Sequence, residues 1–380
     1  MADCDPREDP DIAVVIDTGS CLTRVGFAGD DAPRAIFPSI VGRPKVQPGI
    51  VGSHLKDTYV GDEAVVENSI LKKTTRPVEG GIITNWDDIE KIWLHSFYNE
   101  LRIDPTQRSV FLTEAVTNPI VSREKTTQTI FEKIKVPRAY LCSHAYLCQY
   151  VYGYTTATVV SVGQDVARVV PMQGGQIIGK AISHMFKAGT DLDYHLLKLL
   201  NDKGHSFATS CDVEILREIK EKLCYVALDF EEEKKKMTDS INKTYTLPDG
   251  KDLTISEEQF SCPEILFGET DQETTLHELV LKSISRCEED IRNMLFEHIL
   301  LEGGSTLFPG FPERLQKEVQ AFAPAGITVQ VEAIPDRRHC AWLGGSVLAS
   351  TGMFQQYWIT KDEYEECGPS IVQRKCYQAP

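Results

Sequence analysis

The chain has 380 residues, 42% of them hydrophobic and 25% charged, with a formal net charge of -16. That length exceeds what one hydrophobic core usually organises, so two domains or lobes are expected; so acidic a surface repels phosphate backbones, which excludes nucleic acid as the main ligand. No apolar run approaches the length that crosses a bilayer, and the acidic start MADCDPREDPD is the opposite of a secretory signal or an Arg-rich transit peptide, so no membrane insertion is expected.

In chain order, residues 11–17 and 23–29 read as two strands around a turn at Thr18–Leu22. Residues 36–62, rich in Gly, Pro and polar side chains, read as a small β-rich insertion with a flexible tip near Val46–Leu55. NWDDIEKIWLHSFYNEL, 85–101, opens on an Asn cap and carries Ile89, Ile92, Trp93, Phe97 and Leu101 at helical spacing. SVFLTEA, 109–115, reads as a buried strand, SREKTTQTIFEKI, 122–134, as a helix, and AYLCSHAYLCQYVYG, 139–153, as a strand or turn that becomes an apolar helix. The pattern then restarts. Residues 157–172 repeat strand, Gly turn and strand, and helices follow at 190–203 and 212–228. The run EEEKKK, 231–236, reads as a solvated helix end. Next come a short strand in DLTISEEQF, a helix at 276–296, and HILLEGGSTLFPGF, a strand feeding a Gly-rich turn and a helix. ITVQVEAI, 327–334, alternates as a strand, and HCAWLGGSVLASTGMF, 339–354, reads as a buried helix. Strand, turn and strand followed by helices occurs twice, which makes an α/β chain with a duplicated core.

The 11 cysteines follow no C-x-x-C or paired metal spacing and read as free thiols of a reducing compartment, which points to the cytoplasm. His144 lies between Cys142 and Cys148, but offsets of two and six do not put three ligands on one helix face, so core packing is expected there rather than a metal. GGQIIGKA offers G-x-x-x-x-G-K spacing through Gly174, Gly179 and Lys180, yet Ala181 stands where a phosphate loop needs the Ser or Thr that holds magnesium. Three other Gly turns are stronger candidates: DTGSC at 17–21, VGQD at 162–165 and EGGSTLF at 302–308. Such turns aim backbone N–H groups at one point and bind anions. The first strand–turn–strand copy ends its first strand on an acid, Asp17; the second has Ser161 there.

GFAGDDAPRAIFPSIVGRP (26–44), YVGDEA (59–64), TNWDDIEKIW (84–93), IKEKLCYVALDFE (219–231), LPDG (247–250), GGSTLFPG (303–310), WLGGSVLAS (342–350) and GPSIVQRKC (368–376) resemble the actin family over nearly the whole chain. The resemblance implies an actin-like α/β fold, a duplicated mixed β-sheet with flanking helices in two lobes around a nucleotide cleft. The outer lobe would be 1–151 and 340–380 with a small insertion at about 39–76, and the inner lobe 152–339 with an insertion at about 188–273. ATP or ADP with Mg2+ is the implied cofactor. Carried over residue by residue, Asp17 matches the first-turn carboxylate that holds the cation's waters, and Gly19 and Ser20 the turn that cradles phosphate. Arg24 stands where the family has Lys, and Cys21 where it has Gly. Gly163 belongs to the second phosphate turn. Arg217, Lys220 and Glu221 match the adenosine clamp, as do Gly303, Gly304 and Ser305; Phe308 stands for a Tyr and Arg338 for a Lys.

The departures gather at the reacting end. Ser161 replaces the second cation-shell Asp, Gln164 replaces the Asp of the second phosphate turn, and Asp165 follows where Gly is usual. His144 replaces the Gln that positions the attacking water, and Arg168 replaces a nearby His. Loss of a carboxylate that orients magnesium's waters weakens the metal and misplaces the nucleophile. Nucleotide binding is therefore expected to outlast hydrolysis, and the chain to be at most a weak ATPase.

The function implied is that of a structural subunit in a cytoskeletal or other multiprotein assembly, in the cytoplasm and cytoskeleton with the nucleus left open. The alternatives are a polymerising actin-like ATPase and a nuclear chromatin-complex subunit. Implied partners are actin or other cytoskeletal proteins, with actin-binding proteins at a groove at the lobe base lined by Tyr150, Gly153, Thr155, Leu348, Thr351 and Tyr357. The polar, acidic GETDQETTL, 268–276, offers little apolar surface for a filament contact, whereas the loop 45–57 keeps Ile50-Val51 and is expected to insert into a neighbour.

Overall fold

Val14, Val15 and Ile16 are apolar in succession rather than in alternation, as a strand covered on both faces requires, and all three are fully buried. They belong to the strand Val14–Thr18 at the centre of a six-stranded sheet. A computed structural model of the chain describes residues 5–45, 56–67, 71–205, 207, 210–235, 242–248, 250–268 and 274–376. The loop tip at 46–55, most of the acidic stretch 268–276 and the end of the tail KCYQAP lie outside the described residues. The chain divides into two units, Met1–Gly153 with His339–Pro380, and Tyr154–Arg338.

In the first unit the strand order is Ile359–Thr360, Arg138–Ser143, Ser109–Glu114, Val14–Thr18, Leu22–Phe27, Ala35–Pro38. The strands Val14–Thr18, Ser109–Glu114 and Arg138–Ser143 are mutually parallel, so their carboxyl ends lie together. Parallel neighbours need long crossovers. The segments 86–101 and 120–134 each begin as an α-helix and widen into a π turn, at Ser96–Leu101 and Thr129–Ile134. Asn85 caps the first of them, its side chain accepting from Asp88 N at 3.1 Å. The helix Cys340–Ser350 packs on the sheet and on the helix His144–Tyr152, with Trp342 Nε1 donating to Val15 O at 3.0 Å.

The second unit repeats this plan. Its sheet runs Gln176–Ile177, Ala167–Gln173, Ala157–Val162, Ile299–Glu302, Val331–Glu332, and the last three strands are parallel. One face of the sheet, through Val160, Val162, Ala167, Val169 and Leu301, meets a core that includes Leu192, Leu196, Ile219 and Phe311. Ser161, Arg168 and Glu302 alternate with those residues and share the opposite face. Among the described residues no helix is long and apolar enough to cross a membrane.

Three expected elements differ. The helix expected at 212–228 ends at Leu223. The chain is then drawn out by Tyr225 N donating to Gln259 O and Val226 N to Pro309 O, at 3.0 and 2.8 Å. The helix expected at 276–296 is two, Leu276–Ser285 and Glu289–Glu297, and the Cys287 carbonyl at the break accepts from the Arg292 guanidinium. Of the strand expected at 327–334 only Val331–Glu332 pairs, because the Gln320 side chain takes both Ile327 O and Val329 N. The G-x-x-x-x-G-K match falls on the strand pair Ala167–Gln173 and Gln176–Ile177 and a single 3-10 turn at Gly179–Ala181, with no α-helix starting there.

Candidate functional site

In open α/β sheets, ligands bind beyond the carboxyl ends of the parallel strands. In the first unit those ends deliver Asp17, Thr113 with Glu114, and Ser143 with His144. Ile16 pairs with Leu112 in register, so Asp17 and Thr113 come next, and the Thr113 hydroxyl donates to Asp17 Oδ1 at 2.6 Å. Arg24, directly across the antiparallel pair from Asp17, reaches Asp17 Oδ2 with Nη1 at 2.7 Å. His144 Nε2 lies 3.3 Å from Asp17 Oδ1 and 3.1 Å from Thr113 Oγ1. Because Thr113 gives its hydrogen to Asp17, its oxygen is left to accept from His144 Nε2–H. Burial alone would raise the Asp17 carboxyl; the Arg24 charge, the His144 contact and the Thr113 hydrogen bond outweigh it and hold the group well below the usual carboxylate range. Asp17 is thus a buried, ionised carboxylate with three partners.

His144 is therefore not a core histidine, as its spacing to the cysteines suggested. Opening a helix directly after a parallel strand, it is aimed at the neighbouring strand ends, while Cys142 and Cys148 are buried and Cys148 Sγ packs 3.4 Å from Cys340 Sγ.

The Gly turn beside Asp17 is closed by Gly19 N donating to Leu22 O at 3.0 Å. The Ser20 hydroxyl accepts from Gly81 N at 3.3 Å, and Arg76 Nη1 donates to Ser20 O at 3.3 Å. Cys21 is a partly buried free thiol. A cavity of about 30 Å3 opens nearby, lined among others by Thr18, Trp93, Thr113, Glu114, Asn118 and His144. Burial pushes the Glu114 carboxyl up, against the opposing Arg123 charge and the Asn118 hydrogen bond.

In the second unit the turn after Ser161 is closed by Gly163 N donating to Val166 O at 3.2 Å. The Gly163 carbonyl accepts from Gly189 N at 3.1 Å and from Ser305 Oγ at 2.9 Å, which ties this turn to the third one. Gln164 Nε2 donates to Thr190 Oγ1 at 3.0 Å and to Asp193 Oδ2 at 3.2 Å, and Thr190 Oγ1 donates to Asp165 Oδ1 at 3.0 Å. An Asp at position 164 would put a second negative charge against Asp193; the amide donates instead. Lys220 is buried, pairs with Asp193 Oδ1 at 2.6 Å and donates to Gly189 O at 3.1 Å. Arg217 bonds Glu214 at 2.7 Å, and Glu221 meets Arg338 at 3.4 Å. Arg338 lies along Gly304, while Phe308 belongs to the hydrophobic core of this unit.

Ser161 is flanked in register by Arg168 on one side and Glu302 on the other. Glu302 is 6% exposed. Burial lowers the Arg168 guanidinium, and the Glu302 and Asp165 charges oppose that fall. Thr113, Glu114, Asp193 and Glu302 were absent from the residues picked out in the sequence. An acid closing an otherwise apolar strand, as in SVFLTE and ILLE, is the signal that marks two of them.

Of the expected groove residues, Tyr150, Gly153, Leu348, Thr351 and Tyr357 belong to the first unit and Thr155 to the second. The Tyr150 hydroxyl lies 3.0 Å from that of Tyr146, Leu348 is buried, and the Tyr357 ring stands 6.0 Å from Phe354.

A mixed α/β core occurs twice, each copy with a Gly turn after its first strand. Comparison with protein families matches residues 8–377 to the family described as Actin. The chain belongs to the actin family, and its fold is actin-like. Members of that family generally bind nucleotide with Mg2+.

Proposed function

We propose that this chain is a structural, nucleotide-holding subunit of a cytoskeletal or other multiprotein assembly in the cytoplasm, one that binds ATP or ADP and hydrolyses it weakly or not at all. The donor set fits a nucleotide and its cation. Asp17 is a buried carboxylate kept ionised, of the hard-oxygen type that orients the waters of a divalent cation. Gly303 at φ +94 supplies a turn that a side chain could not make, since a Cβ there would collide with the Val162 backbone. Within the first unit Gly19, Ser20 and Arg24 would meet phosphate; within the second the Gly163 turn would do so with Asp165 beside it, and Arg217, Lys220, Glu221, Gly304, Ser305 and Arg338 would hold the rest of a nucleotide. Phe308, packed in the core, would act from beneath. Mg2+, when bound, neutralises phosphate charge and carries waters.

The observation that carries the reading is the placement of His144. Its Nε2 edge is committed to Asp17 and Thr113. It braces the acid, and that edge does not serve to aim a water at a terminal phosphate. Positioning is most of phosphoryl-transfer catalysis, and small misplacements cost on the order of a hundredfold in rate. Asp17 keeps its three partners while the reaction loses its nucleophile. A bound nucleotide stabilises the native state by mass action, which is a structural use of the ligand.

The test is the nucleotide content of the purified chain, followed by phosphate release in the presence of Mg2+. Stoichiometric nucleotide with negligible release is expected. Sustained turnover of the kind a polymerising ATPase shows would overturn the reading.

A further inference from the structure

The two units can be overlaid position by position at their strand ends. In the first, Asp17 sits between Arg24, its antiparallel register partner, and Thr113, which donates to it from the parallel neighbour. In the second, Ser161 sits between Arg168, its antiparallel partner, and Glu302, its parallel partner. The arginine keeps its place in both. The acid and the hydroxyl have changed places: acid in the middle and hydroxyl alongside in one unit, hydroxyl in the middle and acid alongside in the other. Directly opposed residues share a face of the sheet with Cβ atoms about 5 Å apart, so the exchange moves the carboxylate by roughly one strand spacing and keeps it on that face. Glu302 immediately precedes the Gly303–Gly304 turn, and Ser305 in that turn bonds the Gly163 carbonyl of the neighbouring turn. The acid therefore stands at the junction of both Gly turns of this unit.

A buried carboxylate is costly unless a positive charge or hydrogen bonds compensate it. Arg168 stands in the same row on the far side of Ser161, and the Glu302 charge opposes the fall that burial imposes on its guanidinium. The unit has kept one acid, one base and one hydroxyl in its strand-end row; only the order differs. Neutral decay of an unused site gives no reason for a new buried acid to stand beside the position that lacks one.

We propose that Glu302 is the second unit's cation-orienting carboxylate, replacing the acid absent at Ser161, with Arg168 as the residue that positions it. This rests on the nucleotide-holding reading above. It separates two properties that Ser161 alone would make fail together: retention of the divalent cation, which Glu302 restores, and aiming of the attacking water, which His144 does not.

The experiment loads the full chain with ATP and titrates it with Mn2+, reading water-proton relaxation, for wild type, Glu302→Gln and the double variant Ser161→Asp/Glu302→Ser. Circular dichroism confirms folding of each. Removing a group that orients metal ligands typically lowers metal affinity about 10–100-fold, and a loss in that range is expected for Glu302→Gln. The double variant returns the acid to the middle strand beside Arg168 and is expected to recover most of the affinity. Mn2+ affinity of a folded Glu302→Gln within twofold of wild type would overturn the assignment while leaving nucleotide binding intact. Failure of the double variant to recover, with its fold intact, would also overturn it. A wild-type chain that retains no ATP would overturn both this inference and the reading beneath it.

Discussion

In the first unit the acid at the end of the leading strand is neutralised where it stands: Arg24 at 2.7 Å, Thr113 at 2.6 Å and His144 at 3.3 Å close around Asp17. In the second, the leading strand ends on an uncharged Ser161, and the charges lie on its neighbours, the partly buried Arg168 and the buried Glu302. The turns differ as well: the Ser20 turn is held by Gly81 and Arg76, from a single later segment of its unit, whereas the Gly163 turn is held by Gly189, Thr190 and Ser305, from two separate segments of its own. What duplication has conserved within this molecule is charge balance on a sheet face rather than residue type at a position. A position read alone, as Ser161 is in the sequence, understates what its row can still do.

The sharpest break in this comparison is Asp17→Asn. Removing one member of a buried ion pair leaves the Arg24 guanidinium uncompensated, and such losses typically cost about 3–5 kcal/mol. Ser161→Ala, which removes no charge, is expected to cost less than about 1 kcal/mol. Urea midpoints of the two variants measure the gap; equal losses would remove the distinction between the units. The pH dependence gives the sign. The folded Asp17 carboxyl lies below its unfolded value, so its contribution is complete above the unfolded carboxyl value of about 3.9 and is lost as pH falls toward the folded one. The stability difference between wild type and Asp17→Asn should therefore be flat from pH 7 to about pH 5 and narrow below about pH 4. Glu114 works in the opposite sense. Burial raises its folded carboxyl, so its contribution is present below the unfolded value and lost as pH rises through the folded one. Glu114→Gln is expected to flatten that part of the profile.

Next in size is the contrast between the turn glycines. Gly303 has φ +94 and no room for a Cβ, since the Val162 carbonyl carbon would lie 2.8 Å away. A left-handed backbone costs an ordinary residue about 1–2 kcal/mol and overpacking about 1–3, so Gly303→Ala should lose about 2–5 kcal/mol. Gly19 is not left-handed, and a Cβ there meets only the Leu22 carbonyl oxygen at 3.3 Å, a clash that a shift of a few tenths of an ångström relieves. Gly19→Ala should lose less than about 1 kcal/mol. Thermal unfolding of both reads the contrast directly, and a Gly19→Ala loss as large as that of Gly303→Ala would show that the first turn is no freer than the second.

Much of this was legible in the sequence because it rests on local signals. The two strand–turn–strand copies announce themselves by apolar runs broken at Gly, and the Asn85 cap by its place before a helical stripe. The helix break at Arg286–Glu288 was not, because periodicity continues across it and only the Arg292 contact to Cys287 O shows that the chain turns. Neither was the role of His144, which its neighbours Cys142 and Cys148 disguise as core. Its orientation comes from three parallel strands ending level, a relation among segments far apart in the chain. Glu302 was hidden for the same reason: its meaning lies in its register partner, and register between β-strands joined by a long crossover is not written in either strand alone.

The smallest expected effect concerns the two turn serines. Ser305 Oγ donates to Gly163 O at 2.9 Å and so joins two Gly turns, while Ser20 Oγ only accepts from Gly81 N at 3.3 Å. A net hydrogen bond is worth about 0.5–1.5 kcal/mol, and the shorter contact should stand at the upper end. Ser305→Ala is expected to lose about 1 kcal/mol and Ser20→Ala about half that. The more telling readout is coupling. If the Gly163 and Gly303 turns act as one body, combining Ser305→Ala with Gln164→Ala, which frees the other side of the Gly163 turn from Thr190 and Asp193, should cost more or less than the sum of the singles by at least about 0.5 kcal/mol. The corresponding pair in the first unit, Ser20→Ala with Arg76→Ala, joins two contacts to the same residue from one segment, and tests whether bracing by one segment couples as strongly as bracing by two. Strict additivity in the second unit with coupling in the first would invert the contrast drawn between them.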